Sequence, residues 1–210
     1  MAFRRNFFAA WFAACALATL AQAQVIEFVS GGLEYKALTK GGVTVMFAPL
    51  KLKVRDMTVL QISVSNGAPV SWSIKPEDFR YVPLNGQGTQ AMTSKAVIGD
   101  LLKNASRGDV TKLVHAYEDA LYGNTQMHST NGYEARRQDA LAELGNPRLK
   151  AATAASAIAL VTTKLNPGQS TDGAVFYQVG GKPLGAGHLE VTVGGELFTF
   201  PLEGDTKLGR

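Results

Sequence analysis

From Val25 to Val82 apolar and polar residues alternate with a period of two. "LQISVSN" sets Leu60, Ile62 and Val64 on one side and Gln61, Ser63 and Ser65 on the other, the pattern of a half-buried antiparallel strand with its polar side outward. "VSWSI" repeats it, with Val70, Trp72 and Ile74 inward and Ser71 and Ser73 outward. The Asn66-Gly67-Ala68-Pro69 cluster between the two predicts a short loop joining neighbouring strands. Upstream, "LEYKALTKGGVTVMF" predicts a strand on each side of Gly41-Gly42, and "LKLKV" alternates Leu50, Leu52 and Val54 with lysines.

Near Ala91 the period lengthens. "TSKAVIGDLLKNA" carries an N-cap candidate, Thr93 or Ser94, followed by Val97, Ile98, Leu101, Leu102 and Ala105 at helical spacing. "DVTKLVHAYEDALYG" predicts a second helix, capped by Asp109 and closed by Gly123, and "GYEARRQDALAELG" a third that ends at Gly145. Asn146 and Pro147 stand at N-cap and N1 positions for a fourth, "RLKAATAASAIAL".

Beyond it, "LNPGQSTDGAVFYQV" reads as a turn at Pro167-Gly168, with Asp172-Gly173 leading into a strand from Ala174. "HLEVTV" and "ELFTF" flank Gly194-Gly195, a hairpin signal. The closing strands are too few for a domain of their own. The expected fold is therefore α+β: an antiparallel immunoglobulin-like β-sandwich drawn from residues 24–91 and 165–210, with residues 92–164 inserted as a helical subdomain of about four helices.

The stretches "LQISVSN", "SIKPEDFRYV" and "LNPGQSTDGAVFYQV" resemble the telokin-like, immunoglobulin-fold domains of bacterial secreted proteins and lipoproteins of unknown function. The resemblance covers the two ends of the chain and departs where helices are inserted after Val82. It implies an extracytoplasmic binding or accessory role, and it carries over no functional residue.

The first residues change the biological setting. Arg4 and Arg5 precede an apolar stretch from Phe7 to Leu20 and then Ala21-Gln22-Ala23, the pattern of a secretory signal peptide over residues 1–23. The apolar stretch is shorter than the roughly 20 residues a membrane helix needs. Cys15 after "FAA" resembles a lipoprotein box, and Arg4-Arg5-Asn6-Phe7-Phe8 a twin-arginine signal. The expected location is extracytoplasmic, periplasmic or secreted.

Charge and cysteine content narrow the chemistry. The whole chain holds 21 basic and 17 acidic residues; Arg4 and Arg5 leave with the leader, so the remainder is close to balanced and gives no argument for nucleic acid. Cys15 is the only cysteine, so a chain cut after Ala23 has neither a disulfide nor a thiolate. His115 and Asp119 stand at i, i+4, a metal-binding spacing, but without an HExxH pattern they read as surface charge. "VGGKPLGAGH" lacks the ending of a phosphate loop and reads as a hairpin connection between strands. No Gly-x-Ser-x-Gly elbow occurs, and His128, Ser129 and Asp139 make a poor triad. The acid pairs Glu77-Asp78 and Glu118-Asp119 read as surface charge, and Asn104-Ala105-Ser106 is a weak glycosylation sequon.

The most distinctive polar segment is "STNGYEARRQDAL". Tyr133, Arg136 and Arg137 place an aromatic ring and guanidinium groups on one helical turn, a composition enriched at binding hot spots. Those three are the candidate binding residues. The expected function is a non-enzymatic binding or accessory role toward a protein or envelope partner, with no cofactor. The competing reading is a periplasmic enzyme or small-ligand binder whose site lies between the helices and the sandwich, near Tyr133, Arg136 and His115.

Overall fold

The structure is a computed structural model; it describes residues 24–50, 54–104, 109, 115 and 147–204. A five-stranded antiparallel sheet runs in the order β1 (Ile26–Ser30), β2 (Leu33–Lys40), β3 (Val43–Pro49), β4 (Met57–Asn66), β9 (Ser170–Gln178). A four-stranded antiparallel sheet follows the order β11 (Glu196–Leu202), β10 (Gly187–Val193), β6 (Phe79–Pro83), β7 (Thr89–Gln90). A small third sheet pairs β5 (Trp72–Ile74) with β8 (Thr163–Leu165). The hairpins β1–β2, β2–β3 and β10–β11 each turn on two glycines of positive φ: Gly31-Gly32, Gly41-Gly42 and Gly194-Gly195. Such turns carry the right-handed twist of the flanking strands, and residues with a Cβ resist that conformation.

The two larger sheets face each other across one apolar core. Val43, Val45, Phe47, Leu60, Ile62, Val64, Val175 and Tyr177 enter it from the first sheet, and Phe79, Tyr81, Leu189, Val191, Phe198 and Phe200 from the second. Phe47 and Phe200 meet edge to face with centroids 5.1 Å apart.

A second core lies on the opposite face of the first sheet. Helix α1 (Ser94–Asn104) brings Val97 and Leu101, and helix α2 (Pro147–Ile158) brings Ala155, Ala157 and Ile158, against Leu50, Val54, Met57, Val59, Ala174 and Phe176. Thr93 is the N-cap of α1, its Oγ1 accepting from the Ala96 amide at 3.1 Å. At the other end Arg55 donates to the Asn104 carbonyl and lies 3.6 Å from Asp100. Helix α2 opens on Pro147, as its N1 signal predicts.

The expected class is corrected by these elements. Among the described residues the chain is mostly β, in three antiparallel sheets with two α-helices, and not an α+β protein with a subdomain of about four helices. The two helices share a core with β4 and β9, because Met57, Val59, Ala174 and Phe176 form an apolar patch that only a covering layer removes from water. The second and third predicted helices fall outside the described residues, apart from Asp109 and His115, which are helical.

Other expectations change for the same tertiary reasons. Gln61 and Ser63 are buried, not outward, because the second face of β4 is covered. Val70 is exposed, and β5 pairs with β8 in the third sheet, not with β4. Thr163 and Lys164, part of the segment expected to be helical, are strand. Asp172 and Gly173 lie inside β9, which starts at Ser170. The glycine-rich loop before His188 crosses from the first sheet to the second and closes no hairpin. No helix among the described residues is long and apolar enough to cross a membrane.

Candidate functional site

Along β4, odd-numbered residues face away from the sandwich core. Met57 and Val59 meet the helices, and the next two on that face are Gln61 and Ser63, at 0% and 4% exposure. The register places Ser63 opposite Asp172 of β9, and Gln61 opposite Ala174. Asp172, a carboxylate at 2% exposure, therefore stands in a buried polar group beside an apolar helix contact. Tyr35 of β2 is buried on the same face, where its ring stacks on Phe28 at 5.4 Å. Burial first, and then the negative charge of Asp172, raise the Tyr35 phenol above its ordinary range, so hydroxyl and carboxylate are electrostatically in touch.

Gln61 makes this group unusual. Neither its Oε1 nor its Nε2 has a hydrogen-bond partner among the described residues, although both atoms are buried. Leaving a buried polar atom unpaired costs about 1–3 kcal/mol. A native protein that carries such a cost gains nothing from it in folding, which makes it a place to look for binding. Chemically the group offers an amide donor and acceptor, a hydroxyl, a phenol and a carboxylate, the inventory for holding a small polar molecule that carries donors.

The residues singled out by the sequence are placed as follows. Tyr133, Arg136 and Arg137 lie outside the described residues, as do Asp119, His128, Ser129 and Asp139. His115 is exposed on its helix, and His188 sits on β10 opposite Val82 and Pro201, in the other sheet. Glu77 and Asp78 belong to a 3-10 turn (Pro76–Asp78), where the Asp78 carboxylate accepts from the Lys75 amide at 2.9 Å. Burial raises the Asp78 carboxyl and that hydrogen bond opposes the rise. In the glycine-rich loop, the Gly185 carbonyl accepts from the Tyr81 hydroxyl at 3.2 Å. Among the described residues no group of three or more His, Cys, Asp or Glu side chains could hold a metal ion.

Sequence reasoning missed Tyr35, Gln61, Ser63 and Asp172. The usable signal was Met57 and Val59, which share the face of Gln61 and are apolar; apolar residues on both faces of a strand indicate burial on both.

Compared with protein-family models, with curated proteins and with solved structures, the chain matches none.

Proposed function

We propose that this is an exported, non-enzymatic binding protein built on two packed antiparallel sheets, and that its site is the polar half of the helix-side face of the first sheet. The carrying observation is the Gln61 carboxamide, buried with both polar atoms unpartnered beside Ser63 and Asp172. A small polar ligand bearing hydrogen-bond donors fits this group, since it would satisfy the amide oxygen and face the carboxylate. Because the amide atoms are closed to solvent, the ligand enters when the cover of this face shifts. The signal-peptide pattern of residues 1–23 supports export. Tyr133, Arg136 and Arg137 are retained as proposed contact residues for a protein or envelope partner.

The test is a thermal-shift screen with amino acids, amines, sugars and phosphates, run in parallel on the wild type and on Gln61→Met. Methionine keeps the volume and removes the unpaired amide, so the variant should be more stable by about 1–3 kcal/mol and deaf to the ligand. A ligand that raises the wild-type midpoint and leaves that of Gln61→Met unmoved supports the site. No shift across the panel, or an equal shift in both proteins, removes it. For the arginine turn, Arg136→Ala with Arg137→Ala should lower partner binding without lowering the melting temperature; the reverse pattern makes those arginines structural.

A further inference from the structure

The edges of the two larger sheets are not treated alike. The outer edge of β9 is occupied: the Met92 amide donates to the Phe176 carbonyl at 2.8 Å, and the Leu160 amide to the Ala174 carbonyl at 2.9 Å. On β11, Lys36 and Lys40 reach from β2 to donate to the carbonyls of Pro201 and Leu197, at 3.1 and 2.7 Å, and Pro201 itself lacks a donor. β7 is only two residues long. Charged cover, proline and shortness are the devices that stop an edge from pairing. Of these devices β1 has, among the described residues, only the charge of Glu27. It pairs only with β2, contains no proline, and exposes Ile26 at 63%, Phe28 at 36% and Val29 at 72%. Its one charge, Glu27, is held by Lys36 at 2.7 Å.

We infer that β1 pairs with β1 of a second copy of this chain, antiparallel about a twofold axis at Phe28, so that the two first sheets become one continuous sheet. The backbone parity dictates this register. The Gly31-Gly32 turn makes Ser30 and Leu33 a hydrogen-bonded pair, and therefore Phe28–Tyr35 and Ile26–Ala37 as well. The peptide groups of Glu27 and Val29 then point outward. With the axis at Phe28, Glu27 exchanges hydrogen bonds with Val29 of the second copy, symmetry repeats the exchange, and Ile26 lies opposite Ser30 of that copy. An axis at Glu27 would set carboxylate against carboxylate, and an axis at Val29 would leave Ile26 without a residue to face. At the Phe28 axis the two Phe28 rings, each stacked on its own Tyr35, meet across the axis on the face that also carries Ile26. This interface borders the ligand site at Tyr35 but rests on the β1 edge and does not require a ligand.

The test is sedimentation equilibrium of the full chain as purified, with its N-terminus read by mass spectrometry. Val29→Pro removes an outward N–H and leaves the β1–β2 ladder intact, so a wild-type dimer should weaken about tenfold or more, equivalent to about 1.4 kcal/mol. Phe28→Cys in a Cys15→Ala background should form a disulfide dimer under mild oxidation, because residues facing each other at a non-hydrogen-bonded pair lie about 4.5 Å apart at Cα, within disulfide reach. Leu197→Cys, exposed on β11, should not. If Val29→Pro fails to fold, the cysteine pair decides. A monomer at all concentrations, a dimer indifferent to Val29→Pro, or cross-linking at Leu197→Cys in place of Phe28→Cys overturns the proposal. So does a monomer whose Glu27 and Val29 amides are protected from exchange, since another segment of the chain would then cover the edge.

Discussion

Asn66 closes β4 and is wholly buried, with every polar atom of its side chain engaged. Its Nδ2 donates to the carbonyls of Val70 and Leu165 at 2.9 and 3.0 Å, and its Oδ1 accepts from the Ala68 amide at 3.0 Å. One side chain thus joins the β4–β5 loop to the end of β8. Asn66→Ala leaves those groups unpaired in the interior and should destabilise by about 3 kcal/mol, read from urea unfolding. Tyr177 shows the opposite condition. Its hydroxyl is buried without a partner among the described residues, and burial pushes its ionisation far above the ordinary 10.0. Tyr35 shifts in the same direction. A phenol whose folded-state value is raised favours folding fully below the unfolded value, and that contribution is lost as pH climbs beyond it. Stability should therefore fall as pH rises above about 10, the ordinary tyrosine range. Tyr177→Phe should flatten the fall and leave neutral-pH stability equal or higher; melting temperatures between pH 8 and 11 check both. The sequence marks Asn66 as a turn residue but cannot show its third partner, which stands 99 residues away.

β4 and β9 share the same construction, with cores on both faces, and Gly173 is where that construction is tightest. A Cβ there would sit 2.6 Å from the Leu160 Cα, backbone against backbone, because residues 159 and 160 run along the β9 edge. Gly173→Ala should cost about 1–3 kcal/mol by overpacking and loosen the Leu160–Ala174 hydrogen bond, visible as faster exchange of the Leu160 amide. Local signals described several elements well. The Thr93 cap, the Pro147 start and the glycine pairs at Gly41-Gly42 and Gly194-Gly195 act within a few residues, and the structure has them where the pattern puts them. The covering of the second face of β4 is not legible locally, since alternation records which side is more apolar and not whether the less apolar side is covered.

At the scale of the molecule, helices and strands form a layered unit. Removing the segment between β7 and β8 would uncover Met57, Val59 and Phe176, so variants within that segment probe function more cleanly than its deletion. Because β4 and β9 are enclosed on both faces, their amides should exchange last among the described residues, at rates set by global unfolding, as native-state hydrogen exchange would show. The sequence by itself determined the cap at Thr93, the start of α2 at Pro147 and the glycine turns at Gly41-Gly42 and Gly194-Gly195, because capping and turn geometry are short-range. Only the tertiary structure decided the division into three sheets, the covering of the second face of β4, and the meeting of Tyr35, Gln61, Ser63 and Asp172. Those depend on pairings such as Ser63 with Asp172 and Trp72 with Leu165, and the energy of such pairings resides in contacts between segments about a hundred residues apart.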